Sequence, residues 1–519
     1  MTRFSRLVEA SLSVAATSAR LGKVRALADC LRALEPAEIA TAVTFLSGDT
    51  PQGRFGLSWA ALRGADAAAA PAAAPLLSIA DVDERLSALA AIRGGGSAAR
   101  RTAALAELFG RATAPERDLL VRLLAGELRQ GALGGAMLDA IAATAQLSPS
   151  DVRRAAMYAR NLGEVARVAL GEGAPGLARF QLELLSPIAP MLAQTAADVD
   201  EALAQLGGEP AFEWKMDGAR VQVHRSGELV RVFSRSSNDV TAAVPEVVEL
   251  ARALPARELV LDGEVLAFAA SGRPHPFQVT MRRFGRKLDV EKSRAELPLR
   301  AFFFDCMRLG AESLADRPLR ERERALDSAV PEVLRMPRRV TGSLEVAREF
   351  YEAALAAGHE GLMAKSLDSP YEAGNRGASW LKIKRAHTLD LVVLAAEWGH
   401  GRRRGWLSNL HLGARDPESG GFVMLGKTFK GLTDELLTWQ TSRLLELESR
   451  RDAYTVYVRP ELVVEIAFDG VQRSPRYPGG LALRLARVKR YRDDKAAAEA
   501  DTMDAVRRIY AAQSGTAPA

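Results

Sequence analysis

Apolar residues in the first 175 positions recur every three or four residues, which predicts helices almost throughout. Phe4, Leu7, Val8, Leu12 and Val14 form one amphipathic stripe, and it continues into Val24 and Leu27. Leu27, Leu31 and Leu34 carry the spacing to Pro36, and Val43 and Leu46 precede a turn at Gly48-Asp49-Thr50-Pro51. Residues 67–75 are low in complexity, contain Pro71 and read as a loop. Residues 117–128 and 136–147 read as further helices, and Ser148-Pro149-Ser150-Asp151 reads as a cap before Val152. Gly171-Glu172-Gly173-Ala174-Pro175 reads as a linker.

Beyond it strands and helices mix to about residue 385, and the section after that is strand-rich. Val221 and Val223 alternate with Arg220, Gln222 and His224, Ser226-Gly227 signals a turn, and residues 229–235 read as the return strand. On that reading Arg231 and Arg235 share a strand face. Asp262 and Glu264 point the same way from another strand, which is unfavourable unless a cation or sugar hydroxyls satisfy them. Trp380, Lys382 and Lys384 alternate with Leu381 and Ile383. One face is apolar, and the other sets two ammonium groups side by side where an anion such as a triphosphate would balance them. Residues 389–395, 422–425 and 462–468 read as strands of a small β domain, with a Gly/Arg loop at 399–405. Neither a βαβ rhythm nor a Walker-type glycine loop occurs.

Composition narrows the picture modestly. At 519 residues the chain has length for about three or four domains, and 48% hydrophobic content supports real cores. A net charge of +6 suits a polyanionic partner without requiring one. Cys30 and Cys306 are too few and too far apart for a disulfide framework or a structural zinc site, and a reducing compartment fits. No apolar run is long enough to span a bilayer. The Arg- and Ser-containing first 25 residues read better as an amphipathic helix than as a transit peptide.

The candidate chemistry centres on Glu213-Trp214-Lys215-Met216-Asp217-Gly218-Ala219-Arg220. A lysine presented by a short turn can act as a nucleophile when its amine is neutral. Further motifs follow in fixed order: Ser234-Arg235, Leu261-Asp262-Gly263-Glu264, Phe303-Phe304-Asp305, Glu360-Gly361-Leu362-Met363-Ala364-Lys365 and Leu381-Lys382-Ile383-Lys384. With this set the chain resembles the covalent nucleotidyltransferases and, among them, the ATP-dependent DNA ligases of the archaeal and eukaryotic type. Gly126-Glu127-Leu128-Arg129-Gln130-Gly131 resembles the signature of their helical DNA-binding domain, and Leu185-Ser186-Pro187-Ile188-Ala189-Pro190-Met191 resembles the entry to their adenylation domain. Near the end, Leu483-Arg484-Leu485-Ala486-Arg487 and Arg492-Asp493-Asp494-Lys495 resemble the last ligase motif, with Leu485-Ala486 in place of the usual Phe-Pro.

The resemblance implies a multidomain α and α+β fold. An all-α DNA-binding domain would span residues 1–175, an α+β nucleotidyltransferase domain 176–385 and a β-barrel OB-fold domain 386–519. It implies Lys215 as the nucleophile that takes AMP from ATP. Glu213, Arg220, Arg235, Glu264, Phe304, Lys382, Lys384 and Arg484 would contact the nucleotide, with Phe304 stacking on the purine. Glu264 and Glu360 would hold Mg²⁺ or Mn²⁺. Arg484, Arg487, Arg492 and Lys495 would orient pyrophosphate, and Arg129 and Gly131 would touch DNA. Asp217 and Asp262 are given ordering roles, His359 is incidental, and a plain surface charge suffices for Lys365. Arg282, Arg283, Arg286 and Lys287, and Arg402 to Arg404, are basic clusters that could meet phosphates.

The implied activity is nick sealing in replication, repair or recombination, in the cytoplasm at the nucleoid. The implied partner is nicked double-stranded DNA, with a sliding clamp as a further candidate, and the implied state is a monomer with no membrane contact. An RNA ligase or capping-type nucleotidyltransferase shares the core motifs, but the helical first section and Arg-x-Asp-Lys argue against both. A non-catalytic DNA-binding scaffold is the alternative from another class.

Overall fold

The structure is a computed structural model that describes all residues except 54, 129–132, 160, 286–288, 373–376, 386 and 515–519. The chain divides into two compact units, the first built on Met1–Met191 and the second on Leu192–Tyr371 and the C-terminal strands that follow.

The described elements of the first unit are helices. The predicted N-terminal stripe is split into Ser5–Ala16 and Arg20–Arg32, because Thr17 turns the backbone to extended geometry. Leu7, Val14, Leu27 and Leu31 still face one core, where Phe4 meets Phe45 edge-on at 6.3 Å. The helix expected at 117–128 starts earlier, at Ala114–Leu124. Thr113 and Glu116 close a capping box there and satisfy the first amide groups. Ser148 caps Pro149–Tyr158 as its sequence suggests. The expected linker at 171–175 is instead helical turn on both sides of a break: the helix Leu162–Leu177 is interrupted at Gly173, where φ is 64°. Pro175 follows that break and is tolerated as the start of a new turn.

The second unit contains two five-stranded sheets among its described residues. One has the order Gln194–Ala196, Trp380–Lys384, Gly361–Lys365, Ala211–Lys215, Arg338–Val340. The other runs Leu229–Ser234, Ala219–Ser226, Glu258–Ala267, Leu299–Leu309, Glu312–Ser313. A seven-stranded sheet is centred on His387–Trp398, which pairs with Leu407–Arg415, Thr455–Val458 and Val463–Phe468. The helices Asp434–Glu446 and Met503–Ser514 accompany that sheet and have no counterpart in the strand pattern read from the sequence.

A buried ion pair braces the second unit. Arg322 and Asp305 are both inaccessible to solvent and make a two-pronged contact, Nε to Oδ1 at 2.8 Å and Nη2 to Oδ2 at 3.1 Å. Arg322 Nη1 also donates to the carbonyl oxygens of Arg317 and Ser369. This near-complete satisfaction makes a fully buried charge tolerable. Replacement of Arg322 by leucine would strand Asp305 as an unpaired buried charge. Arg322→Leu is expected to lower stability by about 3–5 kcal/mol, seen as a lower urea midpoint in tryptophan fluorescence.

Candidate active site

Three strand ends meet at Lys215. Lys215 is the last residue of Ala211–Lys215 and pairs with Gly361, which in turn pairs with Lys384 at the end of Trp380–Lys384. The Glu360 amide donates to the Lys215 carbonyl at 3.0 Å. This register sets the Glu360 carboxylate between two ammonium groups, 2.8 Å from Lys215 Nζ and 2.9 Å from Lys384 Nζ. Gly361 is required for the approach. Its φ is 143°, and an added Cβ would lie 2.2 Å from the Ile383 carbonyl oxygen. Burial alone would push the Glu360 carboxyl up, but Lys215 and Lys384 outweigh it and hold it at about 2.

The charge network extends both ways. Lys384 Nζ also reaches Asp469 Oδ2 at 3.1 Å. Asp217 accepts both guanidinium arms of Arg484, one at 3.0 Å, and Arg484 lies over Phe277 at 4.3 Å. Burial raises the Asp217 carboxyl and the charge of Glu360 adds to the rise, while Arg484 opposes both. Gly218 donates its amide to Glu264 Oε1 at 3.1 Å, and a Cβ there would lie 2.5 Å from the Val265 carbonyl oxygen. Burial pushes Glu264 up to about 7, against the pull of Lys215 and Arg220.

Beside this network lies a floor of rings and buried charges. Glu213 is buried, and its carboxylate meets Lys365 Nζ at 2.5 Å. Lys365, expected as a plain surface charge, is instead 1% exposed. Its ammonium lies 4.6 Å from the Phe304 ring centre and 4.3 Å from that of Trp380. Burial raises the Glu213 carboxyl, and the Lys365 charge opposes that rise. Arg220 pairs with Asp262 through Nε at 3.0 Å and Nη2 at 2.6 Å, and its Nη2 also donates to the Tyr371 hydroxyl at 3.1 Å. Lys382 is half-buried on the face that Trp380 and Lys384 share.

Other expected residues lie apart from this cluster. The strand Leu229–Ser234 stops one residue short of Arg235, which is exposed in the following turn and so shares no strand face with Arg231. Of the four cations expected to orient pyrophosphate, Arg484 reaches Asp217, two residues from Lys215. Arg492 and Lys495 instead converge on Asp390, at 2.8 Å and 2.7 Å, and Arg487 is exposed at the start of Arg487–Tyr491. Leu485, at the altered motif position, has φ of 56° and is exposed. Arg283 is buried and braces Glu246 at 2.9 Å, so it does not serve as a surface phosphate contact. Arg402 pairs with Asp434. Arg129 and Gly131, with Arg286 and Lys287, lie outside the described residues.

Sequence reasoning missed Tyr371, Asp469, Phe277 and the buried state of Lys365. Tyr371 and Asp469 lie between strands and Phe277 opens the helix Phe277–Phe284, so no periodic charged face announces them. Among the described residues no group of three or more acidic, histidine or cysteine side chains forms a ready-made metal cage.

Residues 190–384 match the ATP dependent DNA ligase domain, residues 403–495 the ATP dependent DNA ligase C terminal region, and residues 65–142 the DNA ligase N terminus. A "Probable DNA ligase" of Anaeromyxobacter dehalogenans (strain 2CP-C) is 62% identical over 98% of this chain and 99% of that protein. Another from Sorangium cellulosum (strain So ce56) is 58% identical over 98% and 95%. The solved structure Pmar-Lig_PreS3 shares the fold at 19% identity and a TM-score of 0.61, covering 94% of this chain and 99% of that one.

Glu264 makes a pH prediction. Its carboxyl stands at about 7 in the folded chain against an ordinary 4.5, so folding takes up a proton. The stabilising contribution is complete below the lower value and is lost as pH rises through the higher one. Wild type is expected to lose stability relative to Glu264→Gln across that interval, measured by urea unfolding at stepped pH. A constant difference between the two proteins would contradict the shift.

Proposed function

Since the chain belongs to the ATP-dependent DNA ligases, we propose that it seals nicks in duplex DNA by carrying AMP on Lys215. The observation that supports this most directly is the placement of Lys215 Nζ against Glu360, with Lys384 on the other side of the same carboxylate. An amine nucleophile sits there among fixed charges that a polyphosphate can replace.

As the free amine, Lys215 attacks the α-phosphorus of ATP. A P–N bond forms as the nitrogen gives up a proton to solvent, the bond to pyrophosphate breaks, and pyrophosphate leaves with the electron pair. The 5′-phosphate at the nick then attacks the same phosphorus. The P–N bond breaks and Lys215 recovers its proton. Finally the 3′-hydroxyl attacks the activated 5′-phosphate, gives up its proton and expels AMP, leaving a phosphodiester.

Lys382, Lys384 and Arg484 draw the phosphates, and Phe304 offers its ring to the purine. Glu213 marks the adenine end and Glu264 the ribose. Arg220 contacts ribose and nick, Arg235 contacts the nucleotide or the 5′-phosphate, and Arg487, Arg492 and Lys495 complete the phosphate contacts after movement of the C-terminal segment. Glu264 and Glu360 fit Mg²⁺ or Mn²⁺. Their oxygens suit a hard cation, which needs only one or two carboxylates when phosphates and water supply the remainder. Such an ion would offset phosphate charge.

In the finer division we adopt, residues 1–175 form a helical DNA-binding domain, 176–385 the adenylation domain and 386–519 an OB-fold domain. Arg129 and Gly131 contact DNA. The protein works as a cytoplasmic monomer at the nucleoid, with a sliding clamp as a candidate partner. Among its described residues no helix is long and apolar enough to cross a membrane.

Incubation with ATP labelled on the α-phosphate, followed by a denaturing gel, tests the reading. Label on the 55.9 kDa band is expected for wild type and is lost in Lys215→Ala. Absence of label on folded wild type first stripped of bound AMP by pyrophosphate would overturn it.

A further inference from the structure

Tyr371 lies in the stretch that joins Gly361–Lys365 to Trp380–Lys384, and it is 2% exposed. Its hydroxyl donates to Asp262 Oδ2 at 2.8 Å and accepts from Arg220 Nη2 at 3.1 Å. Arg220 Nη2 donates to the same Asp262 oxygen at 2.6 Å, so the three groups close a ring of hydrogen bonds. Asp262 is 1% exposed, and water does not compete for these bonds.

The phenol itself is rigidly set. Its ring stands edge-on to Trp380 at 6.0 Å and beneath the Arg322 guanidinium at 5.9 Å. Its amide donates to the Ala315 carbonyl at 2.8 Å. Arg322 is in turn locked to Asp305. The hydroxyl is therefore presented from a fixed frame. A two-pronged arginine–carboxylate pair fixes a guanidinium in the carboxylate plane, yet the pair can still rock as one body. A third contact, made to both partners at once, removes that freedom.

We propose that Tyr371 is a positioning residue for nick sealing: its hydroxyl holds Asp262 and Arg220 in the one orientation from which Arg220 meets the nick. The inference rests on the reading of Arg220 as a contact to the nick. Adenylylation of Lys215 draws on the charge network of Glu360, Lys384 and Arg484, with Arg220 reaching only the ribose on the proposed reading, so joining responds more strongly than adenylylation to loss of the hydroxyl.

Tyr371→Phe deletes the oxygen and keeps the ring between Trp380 and Arg322. Two single-turnover rates are measured: labelling of Lys215 by ATP, and joining of a nicked duplex already carrying AMP on its 5′-phosphate. Joining is expected to slow about tenfold, the order expected for a lost hydrogen bond to a charged group. Labelling is expected to slow less than joining, and the thermal midpoint to fall modestly, because the buried Asp262 carboxylate loses one of its donors. In Tyr371→Phe/Arg220→Lys, joining is expected to be no slower than in Arg220→Lys alone, because the hydroxyl acts through the guanidinium. Wild-type joining by Tyr371→Phe overturns the proposal. So does an equal loss in both rates, which marks a purely structural hydroxyl. Wild-type joining by Arg220→Lys brings down the Arg220 reading, and the proposal with it, and is told apart by that variant alone.

Discussion

A single carboxylate shared by two ammonium groups governs the second unit. Glu360 can sit between Lys215 and Lys384 only if three strands end at the same level, and their antiparallel registers bring this about. The register works only with a glycine at 361, since any side chain would strike the neighbouring strand. Each charge buried alone would cost several kcal/mol. Asp217, Glu360 and Asp469 face Lys215, Lys384 and Arg484, three anions against three cations. The site is thus electrically balanced by its own carboxylates.

Two of these contacts join parts of the chain far apart in sequence. Arg484 and Asp469 belong to the C-terminal strands and their turns, while Asp217 and Lys384 belong to the motifs at the Lys215 sheet. A cation from one side meets an anion from the other, and the reverse. Such crossed pairs have strong orientational preference and modest strength, since all four groups keep some access to solvent. They can be exchanged without disturbing either hydrophobic core.

Much of this was legible in the sequence wherever a period or a motif carried it. The alternation from Arg220 to His224 marks a strand, Ser148 marks a helix start, and Lys215, Glu360 and Lys384 stand in motifs that the fold gathers at one point. What escaped depends on pairing across long separations. Lys365 looks like a surface charge until its strand pairs with Ala211–Lys215 and closes it over Glu213. Arg235 looks like a strand residue because the alternation does not announce where the strand stops. The glycines and proline at 171–175 suggest a linker, yet a break confined to Gly173 lets helical turns resume by Pro175. Leu485, where the usual Phe-Pro is absent, takes a left-handed backbone that most side chains avoid, at a cost of order 1–2 kcal/mol. It lies between the strands Leu481–Arg484 and Arg487–Tyr491, a place where composition alone predicts no strain.

The Glu213–Lys365 pair has a bearing on turnover. Phe304 and Trp380 are kept in place by the ammonium lodged against them, and that ammonium is kept in place by a carboxylate on the next strand. Their rotamers are therefore settled once, when the chain folds. On the proposed reading, a nucleotide stacking on Phe304 loses its own freedom of motion but has little of the protein's to restrict. Because the enzyme must release one AMP and admit a fresh ATP in every round, a platform that needs no rebuilding lets successive cycles begin from the same geometry.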